Sequence, residues 1–229
     1  MAIGTSFCSR AEPLATGPRN GYLSGMAGRV FLLSPARSAG TRASLLMHAA
    51  FEPGASLQSE SGAALGDVFA WLSSLYFRGK LTYATKFALA VGKVPGALII
   101  TPGQGLCRPA TRIRAHELAA IGQVEVGDND SFRGPLVRDA ERLSREHAGE
   151  VVLLGSIATP KYVDPLLGVF GERLLFPREF VGRGDMSRGG MLLRAAREGR
   201  ELDYVPVHDA PRTGRRATRL SLLPRDGDQ

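Results

Sequence analysis

The sequence predicts an α/β fold: an open, mostly parallel sheet of about five strands with helices on both faces. Three observations predict it. Short apolar runs alternate along the chain with segments of helical period. The strand candidates are near-continuous apolar runs, the pattern of strands covered on both faces. No internal repeat or composition break divides the 229 residues, a length that fits one large domain.

The elements follow in order. Residues 1–28 are rich in Gly, Pro and Ser without periodicity and read as a loose lead-in. "VFLL" at 30–33 is a strand ended by Ser34-Pro35, and Thr41 is a cap for a helix over 42–50. Residues 65–90 are helical by the spacing of Val68, Trp71, Leu72, Leu75 and Tyr76, then Tyr83, Phe87 and Ala90, with a kink or division at Arg78-Gly79. "ALIIT" at 97–101 is a buried strand followed by the turn "PGQG". A weak helix at 112–121, a short strand "QVEV" and an amphipathic helix at 135–148 with Pro135 in its first turn come next. "EVVLLG" at 150–155 is the strongest strand in the chain; a short helix begins near Pro160 and a strand spans 173–177. A helix over 187–198 and a last strand at 203–207 complete a Rossmann-like, three-layer single domain at 29–208, with a basic tail at 209–229.

Composition is that of an ordinary globular chain, 44% apolar and 22% charged. The net charge of +7 is uneven: residues 1–114 carry 12 Lys/Arg against 4 Asp/Glu, residues 115–170 carry 5 against 9, and residues 171–229 carry 12 against 9. A basic surface favours anionic partners, DNA, RNA or nucleotide among them, although an excess of Arg over Lys also follows from GC-rich coding. Cys8 and Cys107 make neither a structural disulfide nor a zinc site. No apolar run reaches the roughly 18 residues of a membrane span, and the first 25 residues lack a continuous apolar core for a signal peptide. The expected compartment is the cytoplasm, with no membrane partner.

In open α/β sheets ligands bind outside the carboxyl ends of the strands. The turns of interest are therefore 34–42, 101–105, 155–161 and 177–190. Ser34, Arg37, Thr41, Arg42, Thr101, Gln104, Ser156, Thr159, Lys161, Arg183, Asp185, Ser187 and Arg188 lie in them. Small polar residues also serve simply as caps and turn formers at such places. The cations Arg37, Arg42, Lys161, Arg183 and Arg188 share one rim if the strand order brings the turns together.

"FVGRGDMSRGG" at 180–190 is the richest of these segments. With a helix starting at Ser187, its free N–H groups, the helix dipole, Arg183 and Arg188 favour an anion, and Gly189 allows close backbone approach. The competing reading is a helix start capped by Asp185 or Ser187. The segment is neither a phosphate-binding Gly-Lys-Ser/Thr loop nor a G-x-G-x-x-G fingerprint, so no cofactor is expected. The tripeptide Arg183-Gly184-Asp185 invites an adhesion reading that nothing else in the sequence supports. None of His48, His116, His147 and His208 has a metal partner at helical spacing, and no G-x-S-x-G elbow is present. "VGDNDSF" at 126–132 lacks the terminal glutamate of a calcium loop and reads as a turn, so no metal is expected. Asp185 is the candidate catalytic carboxylate: buried beside its arginines, it would stay ionised and orient water or an arginine. Tyr76 and Tyr83 with Arg78, Lys80 and Lys86 suit a nucleic-acid face or, at this spacing, a helix core.

"LLSPAR" at 32–37 resembles the Ser-Pro-Ala-Lys opening of the bacterial peroxide-stress protein family, with Arg37 in place of the lysine. "LYFRGKLTYATKFA" followed by "ALIITPGQGL" resembles small uncharacterised bacterial α/β proteins in which a similar helix precedes a strand and an "SAKYGLL" turn; "TPGQGLCRP" stands there in this chain. The resemblance covers residues 30–110, with an echo at 151–167. It implies an α/β fold and a role near DNA or modified bases, and carries over no catalytic residue.

The expected function is binding of nucleic acid or nucleotide phosphate at the carboxyl edge of the sheet. Arg183, Ser187, Arg188 and Gly189 would hold phosphate, and Arg37, Arg42, Lys161, Ser156 and Thr159 would complete the rim. The alternative is an enzyme acting on a nucleoside, base or small phosphorylated substrate, glycosidase- or hydrolase-type, with Asp185 as acid or base.

Overall fold

The computed structural model describes residues 28–89 and 94–211. The lead-in, apart from its last residue, and most of the basic tail lie outside these residues. The chain runs β1 (Arg29–Leu33), α1 (Thr41–Met47), α2 (Gly54–Gln58), β2 (Ala63–Ala64), α3 (Leu65–Ser73), α4 (Leu75–Phe87), β3 (Ala97–Thr101), β4 (Gly105–Cys107) and β5 (Arg112–Ile113). It continues with α5 (Ala115–Gln123), α6 (Asp130–Glu146), β6 (Glu150–Leu154), α7 (Pro160–Phe170), β7 (Leu174–Pro177), α8 (Asp185–Glu198) and β8 (Tyr204–Pro206).

The fold is α/β, as the apolar runs require. Six strands form one sheet in the order β4-β3-β1-β6-β7-β8. The inner four are parallel, and β4 and β8 close the two edges antiparallel. At the centre Val30, Phe31, Leu32 and Leu33 are wholly buried, with Phe31 in register with Ala97 on one side and Val152 on the other. A strand apolar at every position needs cover on both faces, and the helices around the sheet provide it. All the apolar strands expected from the sequence belong to this sheet. The pair β2-β5 and the short edge strand β4 were not expected.

Local chemistry sets the helix boundaries. Asn129 accepts a hydrogen bond from the Phe132 N–H and starts α6 at Asp130, so Pro135 lies inside the helix rather than in its first turn. The stretch read as a metal-free turn thus contains a helix cap. "QVEV" is not a strand: α5 runs to Gln123 and loop follows. The long helix of residues 65–90 divides at Ser74, whose φ of 50° ends α3 and opens α4, and not at Gly79, which stays helical. Gly199, with φ 67° in the left-handed region, ends α8.

Asp139 ties α6 to the sheet edge. Its side chain is buried, and Oδ2 accepts from the Leu106 N–H at 3.0 Å while Oδ1 meets Arg138 Nε at 3.2 Å. Asp139→Ala leaves the Leu106 N–H buried without an acceptor. The expected loss is about 1–3 kcal/mol, read by urea denaturation, with Asp139→Asn retaining most of the stability.

Candidate functional site

The strand order creates the site. The chain leaves β1, builds β3 on one side of it, and returns to build β6 on the other. The loops at the carboxyl ends of β1 and β6 therefore belong to connections running to opposite halves of the sheet, which leaves a crevice between them. A cavity of about 340 Å³ occupies that crevice; its wall includes Ser34, Arg37, Tyr76, Ser156, Tyr162 and Asp185. A second cavity of about 530 Å³ adjoins it through Ala36 and Arg37, and Lys161 lies on its wall.

The far wall comes from α4 and α8, which cross at backbone contact. A Cβ on Gly79 would lie 2.7 Å from the Gly189 carbonyl oxygen, and one on Gly189 would lie 2.8 Å from both Leu75 O and Tyr76 Cα. This close approach carries Tyr76 and Lys80 of α4, and Asp185 and Arg188 of α8, to the ends of β1 and β6.

Lys80 is the centre of the cluster. It is 1% exposed. Its Nζ lies 2.6 Å from the Ser34 carbonyl oxygen and 2.8 Å from Ser34 Oγ. The Tyr76 ring lies 4.4 Å from the nitrogen and the Phe77 ring 4.9 Å. Burial lowers the Lys80 pKa to about 7; the Asp185 charge opposes the fall and Arg188 adds to it. Burial also pushes the Tyr76 phenol well above its usual range, against the pull of the nearby Arg188 guanidinium. The Tyr76 hydroxyl is buried, and the Arg188 guanidinium beside it is the group that meets its oxygen. Tyr162, its phenol likewise raised by burial, accepts from the Ser156 N–H at 3.3 Å.

The residues singled out from the sequence divide into two groups. Arg37 lines both cavities, Lys161 the second, and Ser156 and Asp185 the first. Among the described residues neither Arg37 nor Lys161 makes a side-chain hydrogen bond or ion pair.

The others have structural partners. Arg188 is 9% exposed; its Nε donates to the Phe180 carbonyl at 3.2 Å, its guanidinium stacks 5.5 Å from the Phe180 ring, and Nη1 lies 3.7 Å from Asp185 Oδ1. Arg183 Nε donates to the Glu179 carbonyl, and Nη1 lies 3.5 Å from Ser187 Oγ. Arg42 stacks on Trp71 and donates to the Trp71 carbonyl and to Ser74 Oγ, fastening α1 to the α3-α4 break. Thr159 precedes α7 without a side-chain cap bond.

Three expectations about the glycine loop are corrected. The helix begins at Asp185, with Gly184 as its cap residue, so Ser187 is already inside α8. Gly189 faces α4 rather than a ligand, because the helix crossing needs its missing side chain. Asp185 lines the cavity 3.7 Å from Arg188 Nη1, but its side chain is 71% exposed, so it is not the carboxylate buried beside arginines that the sequence suggested.

Lys80 appeared in the sequence only as part of an aromatic–basic mixture. A sharper signal was present: Tyr76, Lys80, Tyr83 and Ala84 fall on one helical face, and a lysine among apolar residues there must find buried acceptors. Among the described residues no group of three His, Cys, Asp or Glu side chains could hold a metal, and no helix is long and apolar enough to cross a membrane. Comparison with protein families, with curated proteins and with solved structures finds no match to the chain.

Proposed function

We propose that the protein binds the phosphate of a nucleotide in the crevice between the carboxyl ends of β1 and β6. The observation that carries this reading is the position of Arg37 on the walls of two adjoining cavities of about 340 and 530 Å³, sizes ordinary for small-ligand sites. Lys161 adds positive charge on one side, and the Ser156 turn adds small polar groups on the other. Enclosure on this scale suits a free nucleotide or one nucleotide of a strand better than a duplex.

Calorimetric titration with AMP, ATP, inorganic phosphate and a single-stranded oligonucleotide, at low and at physiological salt, tests the reading. Arg37→Ala is expected to weaken binding about tenfold or more, and Lys161→Ala by less. Binding should fall as salt rises, most steeply for the oligonucleotide. No binding by any probe, or affinity indifferent to Arg37→Ala, overturns it.

A second reading, an enzyme acting on a small phosphorylated substrate with Asp185 as acid or base, draws support from Asp185 and Ser156 both lining the same cavity. On this reading Asp185→Asn keeps ligand affinity and loses turnover of a nucleotide or nucleoside substrate, measured by product release. Equal loss of both assigns Asp185 to binding alone.

A further inference from the structure

We propose that Ser34 and Lys80 form a nucleophile–base pair at the floor of the crevice, giving the chain hydrolytic acyl-transfer chemistry on a small carboxylic ester. The inference goes beyond phosphate binding and does not rest on it.

The geometry carries the argument. Ser34 is the first residue after β1, and its N–H donates to the Leu154 carbonyl at 3.1 Å, fixing it against β6. Ser34 lines the cavity although the residue is only 6% exposed. Gly155 leaves it room, since a Cβ there would lie 2.9 Å from Ser34 Cβ and 3.2 Å from Oγ. Lys80 stands behind the hydroxyl, absent from the cavity wall, with Nζ 2.8 Å from Oγ. An amine in that place donates one hydrogen to the Ser34 carbonyl and offers its lone pair to the Oγ–H. This is the arrangement of an activated nucleophile backed by its base.

The surroundings suit the chemistry. The groups facing Lys80 and Ser34 are Tyr76 of the same helix, Asp185 and Arg188 of α8, and Tyr162 of α7. Full burial brings Lys80 to about pH 7, so a large share of it is neutral there. Tyr76 lines the cavity, and its hydroxyl is kept protonated by burial; the Arg188 guanidinium can only donate to the phenol oxygen, so the O–H remains a donor for a developing oxyanion. If Lys80 merely fastened α4 to β1, its bond to the Ser34 carbonyl would suffice, and the Oγ contact would not be needed.

The step balances without a redox partner. Ser34 Oγ attacks the ester carbonyl carbon, and its proton passes to neutral Lys80. The adduct collapses with cleavage of the ester C–O bond, and the alcohol leaves with the proton from the Lys80 ammonium. Water then attacks the acyl-Ser34 and gives a proton to Lys80. That proton returns to Ser34 Oγ as the carboxylic acid departs.

The test is covalent labelling of the full chain with a fluorophosphonate, in which Ser34 Oγ displaces fluoride, followed by peptide mapping, alongside hydrolysis of p-nitrophenyl acetate. One adduct on Ser34 is expected, formed at a rate that rises with pH through about 7. Ser34→Ala should abolish it. Lys80→Arg, which keeps the charge but cannot accept the proton, should slow it about 100-fold or more, with circular dichroism establishing that the variant is folded. The pH profile of the unaltered chain needs no variant, so an unfolded Lys80→Arg leaves the proposal testable. No adduct, an adduct on another residue, or a rate flat across pH 7 overturns it. Nucleotide binding that persists after such a failure leaves the phosphate reading standing.

Discussion

Gly189→Ala is expected to destabilise the fold by about 3 kcal/mol, a fall in Tm of roughly 6–12 °C for a chain of this size. The added methyl would stand 2.8 Å from the Leu75 carbonyl oxygen and 2.8 Å from Tyr76 Cα. Both are backbone atoms of α4, so no rotamer change relieves the contact, and the helices must separate. Gly79→Ala meets Gly189 O at 2.7 Å from the opposite side and should behave alike. Gly190 is the control. A Cβ there has nothing within 4 Å, so Gly190→Ala should raise stability by up to about 1 kcal/mol through helix propensity alone. Thermal denaturation of the three variants checks the claim; equal melting of Gly189→Ala and Gly190→Ala would remove the close crossing from the account. The separation has a functional side as well. Lys80 reaches Ser34 from α4, and Asp185 and Arg188 reach the same place from α8, so a wider crossing should also slow labelling of Ser34.

The parts of this arrangement legible in the sequence are those fixed by local pattern. "VFLL", "ALIIT" and "EVVLL" are apolar at nearly every position, and burial on both faces follows from that alone. The turns after them are small and polar, so the loops holding Ser34, Arg37 and Ser156 were identifiable as the carboxyl edge at which the cavities lie. What escaped depends on pairing across distance. Lys80 finds its acceptors 46 residues away in sequence, and nothing near it announces them. Arg188 looked like a free cation in a polar loop; the nearby Phe180 ring and carbonyl, which fold back on it through the turn at 181–184, bury it. Gly79 looked like a helix breaker because its partner, Gly189, lies on another helix. Ser74, which does break the helix, is a residue whose positive φ no local rule predicts.

Stability should rise with pH from about 7 toward 10, and Lys80 should be the reason. In the unfolded chain the lysine keeps its proton up to its ordinary value of 10.5, whereas in the fold burial brings release down to about 7. Between those values the unfolded chain holds more protons than the folded one, so the free energy of unfolding climbs with pH, by at most about 1.4 kcal/mol per unit for this one group. Below about 7 both states are charged and the buried ammonium's full cost is borne by the fold. Above about 10 the sign reverses: the Tyr76 and Tyr204 phenols, held protonated by burial, ionise first in the unfolded chain. The expected profile is a dome with its rising limb in the weakly alkaline range. Lys80→Met should erase that limb and leave the descending one, as read from urea midpoints at successive pH values; a rising limb that survives the substitution would assign it to another group. The same linkage reaches the crevice. An anion seated beside Ser34 and Arg37 would favour the charged lysine, so binding near neutral pH should take up a fraction of a proton, and saturating ligand should flatten the limb that Lys80→Met removes.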